Sequence, residues 1–593
     1  MKEGLQDCAR GIGSDLYPAI LNRTKEVAPC PDAGALTIEN VVMKLPKIRK
    51  LYALCAAVPV WAGADALHVW PDPASMPSMA AVTSPSHPDY PGLPDPLRFF
   101  DHSVGNLFGP DVVDGVAWRK SRRPEILDML RHYMYGYEPV PVPVAFSPVC
   151  VDTGFLDGLA TKKLIVGDFG IPGASNMTIA LYLPNAAQGP VPVIVALNNS
   201  GNETIEPGGN RANRWDLPST LRAGIALATA YVGDFSRDSS NSYRDALIEP
   251  FSQSGFDGNW RTIGAWAWGL GRMIDSLETN PAVDSHRIAV TGFSRRGKAA
   301  FWAGTLDERI ALVGPHQSGA GGPLPNRPGW GNNTGYRTQF RHWFLQDFNE
   351  MPFSDYERLP FDQHFQVALM APRRAFFTEN SSSGANFDGA NAIRVAAEPV
   401  WTFLGADAET GVVLDWDSNS SHQHEPYHWA ALHDAVLDLP RGGTEGFRRW
   451  AVDHGLVPEG GDSAAAALMA AADLNGDGTS LLEAYLFGLD PSALNRVSPV
   501  YSLGDEGRFR IQVPQRRDGT GLPGRSYRWR GVEQRVEWAE DPAGPWSGFD
   551  AGELVPVAVG AVDGAAFEMV TFEDRRSTAS ARIFFRLGYR LSE

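Results

Sequence analysis

The chain is poor in cysteine, has no long run of lysine or arginine, and has no apolar run long enough to span a bilayer. Its four cysteines are too few for a disulfide framework and too scattered for a tetrahedral zinc site. The formal net charge of -17 argues against a surface for nucleic acid or anionic membrane, although a local basic pocket is compatible with it. The composition itself is globular, with 43% hydrophobic and 10% aromatic residues among 593, and the length predicts two or three domains.

One targeting signal is visible, and it begins near Met43 rather than at residue 1. Basic residues follow Met43, then an apolar run over residues 51–61 and small residues up to Ala66. This succession is typical of a secretory signal peptide, and a short buried helix is the alternative. The sequence therefore predicts a wrongly assigned extension over residues 1–42 and a signal peptide over 43–66. A chain cleaved there has Cys150 as its only cysteine, so no internal disulfide is expected.

A Pro-rich leader over residues 67–90 precedes a long segment, residues 91–442, in which short apolar runs alternate with amphipathic ones. This alternation predicts a mostly parallel sheet covered by helices on both faces, with catalytic groups at the carboxyl ends of the strands. Strands are predicted over residues 191–197, 225–232, 287–290, 310–313, 375–378 and 412–416, and helices over 263–277, 299–304 and 393–404.

The strongest motif lies at one of these strand ends, in the run RIAVTGFSRRGK over residues 287–298. The run predicts a strand, a tight turn and a helix start, with Ser294 where a nucleophile elbow places its serine. Gly292 and Gly297 relieve crowding around such a turn. The strict G-x-S-x-G pattern is not met, because Gly297 follows Ser294 by three residues, so an ordinary helix N-cap serine is the alternative.

These residues resemble the G-x-S-R-x-G-K signature of glucuronoyl esterases, carbohydrate esterase family 15. Further segments agree in the same order, and the resemblance covers roughly residues 90–440; the segments are WRTIGAWAWGLG (260–271), SGAGG (318–322), HWF (342–344), LPFDQH (359–364) and APR (371–373). The resemblance implies an α/β-hydrolase fold and a serine nucleophile that cleaves esters of glucuronic acid. It implies no cofactor for catalysis.

The resemblance and the chemistry together assign roles to particular residues. Ser294 attacks the ester carbonyl after a histidine base removes its proton. The resemblance implies that the guanidinium of Arg295 stabilises the oxyanion and that Lys298 contacts the sugar hydroxyls. His422 is the predicted base, His424 is the close alternative, and His428 is expected to begin a helix and pack. A metal site at His422 and His424 would need a third ligand, which the sequence does not offer.

The acid of the triad departs from the family pattern. Fungal relatives carry a glutamate where this chain has Gln317, which is therefore placed among the substrate-binding residues rather than in the triad. Glu379, at a predicted strand end, is the first substitute and Asp388 the second; Asp415 and Asp417 are further alternatives. A carboxylate on a surface loop is the competing interpretation for both substitutes.

The sugar site departs from the family as well. Bacterial relatives have a glutamate in a G-E-[ST] run, where this chain has WGNNT over residues 330–334. The aromatic residue that caps the sugar in relatives is displaced, and Phe387 is the nearest candidate. The nucleophile therefore matches the family better than the sugar site does.

The sequence after residue 442 is of a different kind. In the linker over residues 443–498, Asp473, Asn475 and Asp477 form the first half of a calcium loop, but Ala484 stands where a bidentate acid is expected. A weak structural calcium site and a plain turn are the two interpretations. Short alternating runs over residues 499–593 predict a small β-rich, sandwich-like domain.

Two functions follow from the sequence. The first is a secreted serine esterase acting on a glucuronic-acid-containing plant or algal polysaccharide, in the periplasm, outside the cell or at the surface of a bacterium. The second is a weak or inactive carbohydrate-binding relative, which Gln317 favours. A monomer without nucleic-acid partners or a membrane span is expected in either case.

Overall fold

The computed structural model describes residues 76–85, 92–101, 109–256, 258–330, 335–380, 386–416, 422 and 426–440, together with strands between residues 500 and 591. The chain divides into two units, Met1–Ala66 and Leu67–Glu593, and every described residue belongs to the second. The predicted extension, signal peptide and calcium loop lie outside the described residues and stay predictions.

Nine strands form one sheet in the spatial order β1-β2-β3-β5-β4-β6-β7-β8-β9. From β4 to β9 all neighbours run parallel, whereas β1, β2 and β3 join the edge at β5 as an antiparallel set. The strands are β1 (Ala145–Phe155), β2 (Ala160–Asp168), β3 (Met177–Pro184), β4 (Val191–Asn198), β5 (Ala226–Tyr231), β6 (Val283–Phe293), β7 (Leu312–His316), β8 (Arg374–Glu379) and β9 (Val412–Trp416). The mostly parallel sheet predicted from the sequence is confirmed.

Helices connect and cover these strands. The α-helices are α1 (Met79–Val82), α2 (Gly115–Ala117), α3 (Arg123–Leu130), α4 (Leu217–Arg222), α5 (Ile248–Gln253), α6 (Thr262–Glu278), α7 (Arg295–Leu306), α8 (Gly335–Gln339), α9 (Gln346–Glu350), α10 (His364–Ala368), α11 (Phe387–Phe403), α12 (Ala408–Gly411) and α13 (Pro426–Leu437). The described residues also contain two π-helical turns (Trp118–Arg122, Arg131–Tyr135) and four 3₁₀ turns (Asn202–Ile205, Ala212–Arg214, Val232–Asp234, Phe353–Arg358).

The sheet separates two hydrophobic clusters. Consecutive residues of β6 point to opposite faces: Val290 packs with residues of α6 and α7, while Ala289 packs with Leu432 of α13. Because both faces are covered, the central strands are apolar along their whole length, and all eight residues of β4 are buried. The buried central strands hold their own carboxyl ends in place, and the candidate site lies at that edge of the sheet.

The expectation that a chain cleaved near residue 66 has no internal disulfide stays a prediction, because the three cysteines other than Cys150 lie outside the described residues. None of the helices in the described part of the chain is both long and apolar enough to cross a membrane.

The C-terminal strands form two antiparallel sheets. One has the order β10-β11-β16-β15. In the other, β13 pairs with each of β12, β14 and β17. The strands are β10 (Val500–Leu503), β11 (Phe509–Arg516), β12 (Tyr527–Trp529), β13 (Val532–Ala539), β14 (Ser547–Gly548), β15 (Leu554–Ala561), β16 (Phe567–Asp574) and β17 (Phe584–Leu591). The sandwich packing of these sheets stays a prediction.

Candidate active site

Ser294 occupies a strained turn between β6 and α7. Its backbone has φ 59° and ψ −126°, a conformation that L-residues rarely adopt. Its amide donates to the carbonyl of His316 at 2.9 Å, which ties the turn to the end of β7. A Cβ at Gly297 would lie 1.9 Å from Ser318 Oγ, and one at Gly292 would lie 2.4 Å from the carbonyl of Arg296. Glycine is therefore required on both sides of the serine, as the motif predicted.

His422 lies against this serine. Its Nε2 is 3.0 Å from Ser294 Oγ, and its ring contacts the ring of Phe293 at a centroid distance of 4.6 Å. The strained turn and the chain after β9 thus bring a hydroxyl and an imidazole together from positions 128 residues apart. An imidazole at this distance can accept the hydroxyl proton as the oxygen attacks.

The surroundings of His422 are electropositive. Partial burial, followed by the charges of Lys298, Arg214, Arg295 and Arg296, lowers the pKa of His422. The imidazole consequently stays neutral, and able to accept a proton, to lower pH than an ordinary histidine. The same charges disfavour an imidazolium, so proton transfer to His422 would need negative charge nearby to offset them.

Arg295, the residue after the nucleophile, is held by an aspartate from another loop. Its Nη1 donates to Asp238 Oδ2 at 2.5 Å. Its guanidinium also lies over the rings of Phe340 and Trp343, 4.6 and 5.0 Å from their centroids, and these two rings stack on each other. Arg295 is therefore fixed beside Ser294 rather than free to move in solvent.

Asp238 is the centre of a wider network. His342 Nε2 and Trp343 Nε1 both donate to its Oδ1 at 2.9 Å. Burial alone would raise the pKa of Asp238, but the hydrogen bonds from His342, Trp343 and Arg295 outweigh burial and lower it to about 2. Since Asp238 must accept from Nε2, the other ring nitrogen of a neutral His342 accepts from Ser240 Oγ, at 3.1 Å. Asp238 stays ionised at any working pH.

The structure does not bring Glu379 and His422 together. Glu379 is buried at the end of β8, and its Oε1 accepts from the amides of Ser318 at 2.8 Å and Gly319 at 3.3 Å. Among the described residues, no carboxylate hydrogen-bonds His422. Glu379 thus makes its hydrogen bonds to the backbone after β7, and its role as the group that orients the base stays a prediction.

Glu379 acts on Lys298 instead. Burial raises the pKa of Glu379 and lowers the pKa of Lys298, and the attraction between the two opposes both shifts. Lys298 Nζ donates to the carbonyl of Ser318 and faces the rings of Tyr336 and Trp343 at 5.9 and 5.8 Å. The predicted sugar-binding lysine is therefore a buried group, 5% exposed, that also supports the loop after β7.

The other predicted residues lie as follows. Gln317 is 1% exposed and has a left-handed backbone with φ 42°, so it is part of the interior rather than of an open sugar-binding surface. His428 is buried in α13 and packs against His316 at a ring distance of 4.1 Å, which confirms the packing role predicted for it. Asp388 is exposed in the first turn of α11. His424 and Asp417 lie outside the described residues. So do residues 331–334, which stand where bacterial relatives have the G-E-[ST] run.

Sequence reasoning missed two sets of residues. It gave no role to Asp238, which stands in no recognised motif, and it gave His342 and Trp343 only as a family segment. It also gave no role to Arg211 and Arg214, which line a cavity beside the nucleophile turn together with Arg296. Only the expectation that an acidic chain can carry a local basic pocket pointed in that direction. In the described part of the chain, no group of three or more His, Cys, Asp or Glu side chains is arranged to hold a metal ion.

The sequence is similar to a family model and to known esterases. Residues 173–405 match the family model of fungal glucuronyl esterases. Over 315 residues the chain is 32% identical to a carbohydrate esterase of an unknown prokaryotic organism, a match that covers 47% of this chain and 71% of that relative. The chain belongs to the glucuronoyl esterase family, carbohydrate esterase family 15. Members of this family are carboxylic ester hydrolases.

Two further comparisons place the chain within the glucuronoyl esterases. It is 29% identical over 317 residues to the 4-O-methyl-glucuronoyl methylesterase of Podospora anserina, a match that covers 50% of this chain and 58% of that protein. The solved glucuronoyl esterase from Solibacter usitatus superposes with a TM-score of 0.53 at 29% identity, covering 59% of this chain and 98% of that structure. The predicted α/β-hydrolase-type fold is confirmed by this likeness.

Proposed function

We propose that the chain is a serine esterase that hydrolyses esters of glucuronic or 4-O-methyl-glucuronic acid, such as those that join glucuronoxylan to lignin. The observation that carries the proposal is the 3.0 Å contact of Ser294 Oγ with His422 Nε2 at a strained strand-to-helix turn. Names of relatives support the substrate, since one is a 4-O-methyl-glucuronoyl methylesterase. A carbohydrate-binding relative without activity would have no need of the strain stored at Ser294.

Acylation begins when His422 accepts the proton of Ser294 as Oγ bonds to the ester carbonyl carbon. The carbonyl oxygen becomes an oxyanion, and the guanidinium of Arg295 faces the negative charge that develops there. His422 then returns the proton to the alcohol oxygen as the ester bond breaks. The alcohol leaves, and the glucuronoyl group stays on Ser294 as an ester.

Deacylation repeats these steps with water. His422 accepts one proton from the water as it attacks the acyl carbon, and Arg295 faces the second oxyanion. His422 then returns that proton to Ser294 as glucuronic acid leaves, and the acid loses its own proton to solvent as glucuronate. Because the ester is neutral and the product is an anion, cations around His422 stabilise the product side of the reaction. Lys298 is the proposed partner of the sugar hydroxyls, and export by the signal peptide over residues 43–66 is the proposed route to the polysaccharide.

The proposal is tested with benzyl glucuronate and the purified full chain. We expect wild-type protein to release glucuronate and benzyl alcohol, measured by chromatography, and Ser294→Ala to lose on the order of 10³-fold or more in kcat while keeping its circular dichroism spectrum. Ser354→Ala is the matched control, because that serine is exposed on a 3₁₀ turn. A Ser294→Ala variant that keeps more than about a tenth of the rate contradicts the nucleophile assignment.

A further inference from the structure

A cavity of about 100 Å³ opens beside the nucleophile turn, between the ends of β4 and β6. Three arginines line it: Arg211, Arg214 and Arg296. Arg211 and Arg214 belong to the connection between β4 and α4 and are exposed, whereas Arg296 is the second residue of α7 and is half-buried. Three cations from two elements thus converge on one space large enough for several water molecules.

None of these arginines forms an ion pair in the described part of the chain. Within the described ranges, none of the three guanidinium groups makes an ion pair or a side-chain hydrogen bond. Other arginines of the domain are paired, as Arg309 is with Asp275, Glu278 and Asp307. The chain carries a net charge of -17, so carboxylates are abundant, yet none in the described residues forms an ion pair with this cluster; Asp238 attracts Arg296 but is itself paired with Arg295. Convergent guanidinium groups without a counter-charge are arranged to receive an anion from outside the protein.

The electrostatics agree with the geometry. Burial, followed by repulsion from Arg295, Arg214 and Arg211, lowers the pKa of Arg296 to about 10, and attraction to Asp238 opposes this shift only in part. Mutual repulsion of this kind is unfavourable in the empty site and is relieved when an anion binds. Arg214 and Arg296 also act on His422, so the cavity lies within electrostatic reach of the catalytic pair.

The walls of the cavity suit a sugar. Trp215 and Trp429 line it, with ring centroids 6.0 Å apart, and Trp429 Nε1 donates to the carbonyl of Arg214, which fixes this wall. Trp429 is 2% exposed and supports the wall, so the half-buried ring of Trp215 provides the contact area for the apolar face of a sugar. An aromatic ring beside arginines favours an anionic glycan over a free inorganic ion.

We infer that Arg211, Arg214 and Arg296 form a subsite for a second anionic group of the substrate, a carboxylate or sulfate on a sugar near the esterified glucuronic acid. The inference rests on the proposed function only in assigning the glycan to an ester substrate. The ester group itself is neutral, so this subsite binds an anionic group of the substrate that takes no part in the reaction. The preferred substrates are then polyanionic chains rather than neutral xylan with isolated esters.

The test measures binding without turnover. Full-length Ser294→Ala protein is titrated by calorimetry at low salt with tetragalacturonate, with a sulfated carrageenan tetrasaccharide, and with neutral xylotetraose. We expect at least one anionic probe to bind tenfold or more tightly than xylotetraose, and the better of the two identifies carboxylate or sulfate as the recognised group. Equal affinity for all three probes overturns the inference.

Charge variants locate the binding. Adding Arg211→Gln and Arg214→Gln together should abolish the anionic preference, whereas Arg98→Gln, which removes an arginine paired with Asp111, should retain it. Because the side chains of Arg211 and Arg214 have no partners in the described structure, the double variant should melt at the same temperature as its parent. A preference that survives in the double variant overturns the subsite. Anion binding that is intact in a wild-type protein inactive on benzyl glucuronate would refute the proposed function and not this subsite.

Discussion

The nucleophile side and the acid side of the site lie at the same edge of the sheet but are built differently. At the turn after β6, strain at Ser294, two required glycines and a clamped Arg295 all serve one geometry. At the ends of β7 and β8, Glu379 accepts hydrogen bonds from backbone amides and attracts Lys298, and it makes no hydrogen bond to His422 in the described residues. The geometry around Ser294 is specified by residues adjacent to it in sequence. The acid side depends on which carboxylate, from a segment distant in sequence, comes to lie beside His422.

The comparison teaches where the charge of the site comes from. In a triad, a carboxylate beside the histidine stabilises the imidazolium. Here cations surround His422, and the ionised carboxylate of this region, Asp238, is attached to Arg295 instead. In the proposed mechanism, the charge that stabilises the oxyanion therefore comes from Arg295, which Asp238 holds in place. Three variants break or sharpen this contrast.

The largest effect is expected from Asp238→Asn. The variant removes the charge that holds Arg295 and places an amide where the carboxylate accepted three donors, so Arg295 loses its fixed position. We expect kcat on benzyl glucuronate to fall on the order of 10²-fold with little change in KM, because the lost interaction belongs to the transition state. Asp245→Asn, an exposed aspartate 3.9 Å from Arg237, is the matched control. A kcat within about threefold of wild type would show that Arg295 does not need this clamp.

A smaller effect is expected from Glu379→Gln. Glutamine can still accept from Ser318 and Gly319, and the residue does not touch His422, so we expect kcat to fall less than about tenfold. The role predicted from the sequence implies a loss on the order of 10³ instead. Parallel assays of Asp388→Asn, which should be unchanged, provide the control. A loss of that larger size in Glu379→Gln would restore Glu379 to the triad.

The smallest effect is expected from Arg214→Gln. Arg214 is one of the cations that lower the pKa of His422, so its removal raises that pKa. The base must be neutral, and the acidic limb of kcat/KM should therefore move to higher pH at low salt. Added salt should shrink the difference, and Arg98→Gln should show none. A limb that stays in place, or moves to lower pH, would show that Arg214 does not act on the base.

The sequence predicted the central part of the fold because buried parallel strands are apolar throughout. The residues of β4 and β9 were identified within one residue. It missed β1, whose residues are all exposed or half-buried, so no hydrophobic alternation marks it. It also missed β2 and β3, because antiparallel strands at the edge are joined by short turns and not by the helices on which the pattern depended.

The site was predictable where its residues are close in sequence. Ser294, Arg295 and the two glycines share one turn, so the motif contained their geometry. The pair of Asp238 and Arg295 joins positions 57 residues apart, and nothing in either segment specifies the other. The arginine cavity likewise joins the β4–α4 connection to α7, and only the folded chain shows that its charges are left without partners.

The central claim is that Ser294 is a nucleophile activated by His422. Treatment of the full chain with phenylmethylsulfonyl fluoride, followed by peptide mass spectrometry, tests it directly, because this reagent sulfonylates serines that an adjacent base activates. We predict a single sulfonyl group on Ser294, loss of benzyl glucuronate hydrolysis in proportion to labelling, and no labelling in His422→Gln. Labelling of another serine, or full labelling of Ser294 with hydrolysis unchanged, would contradict the account.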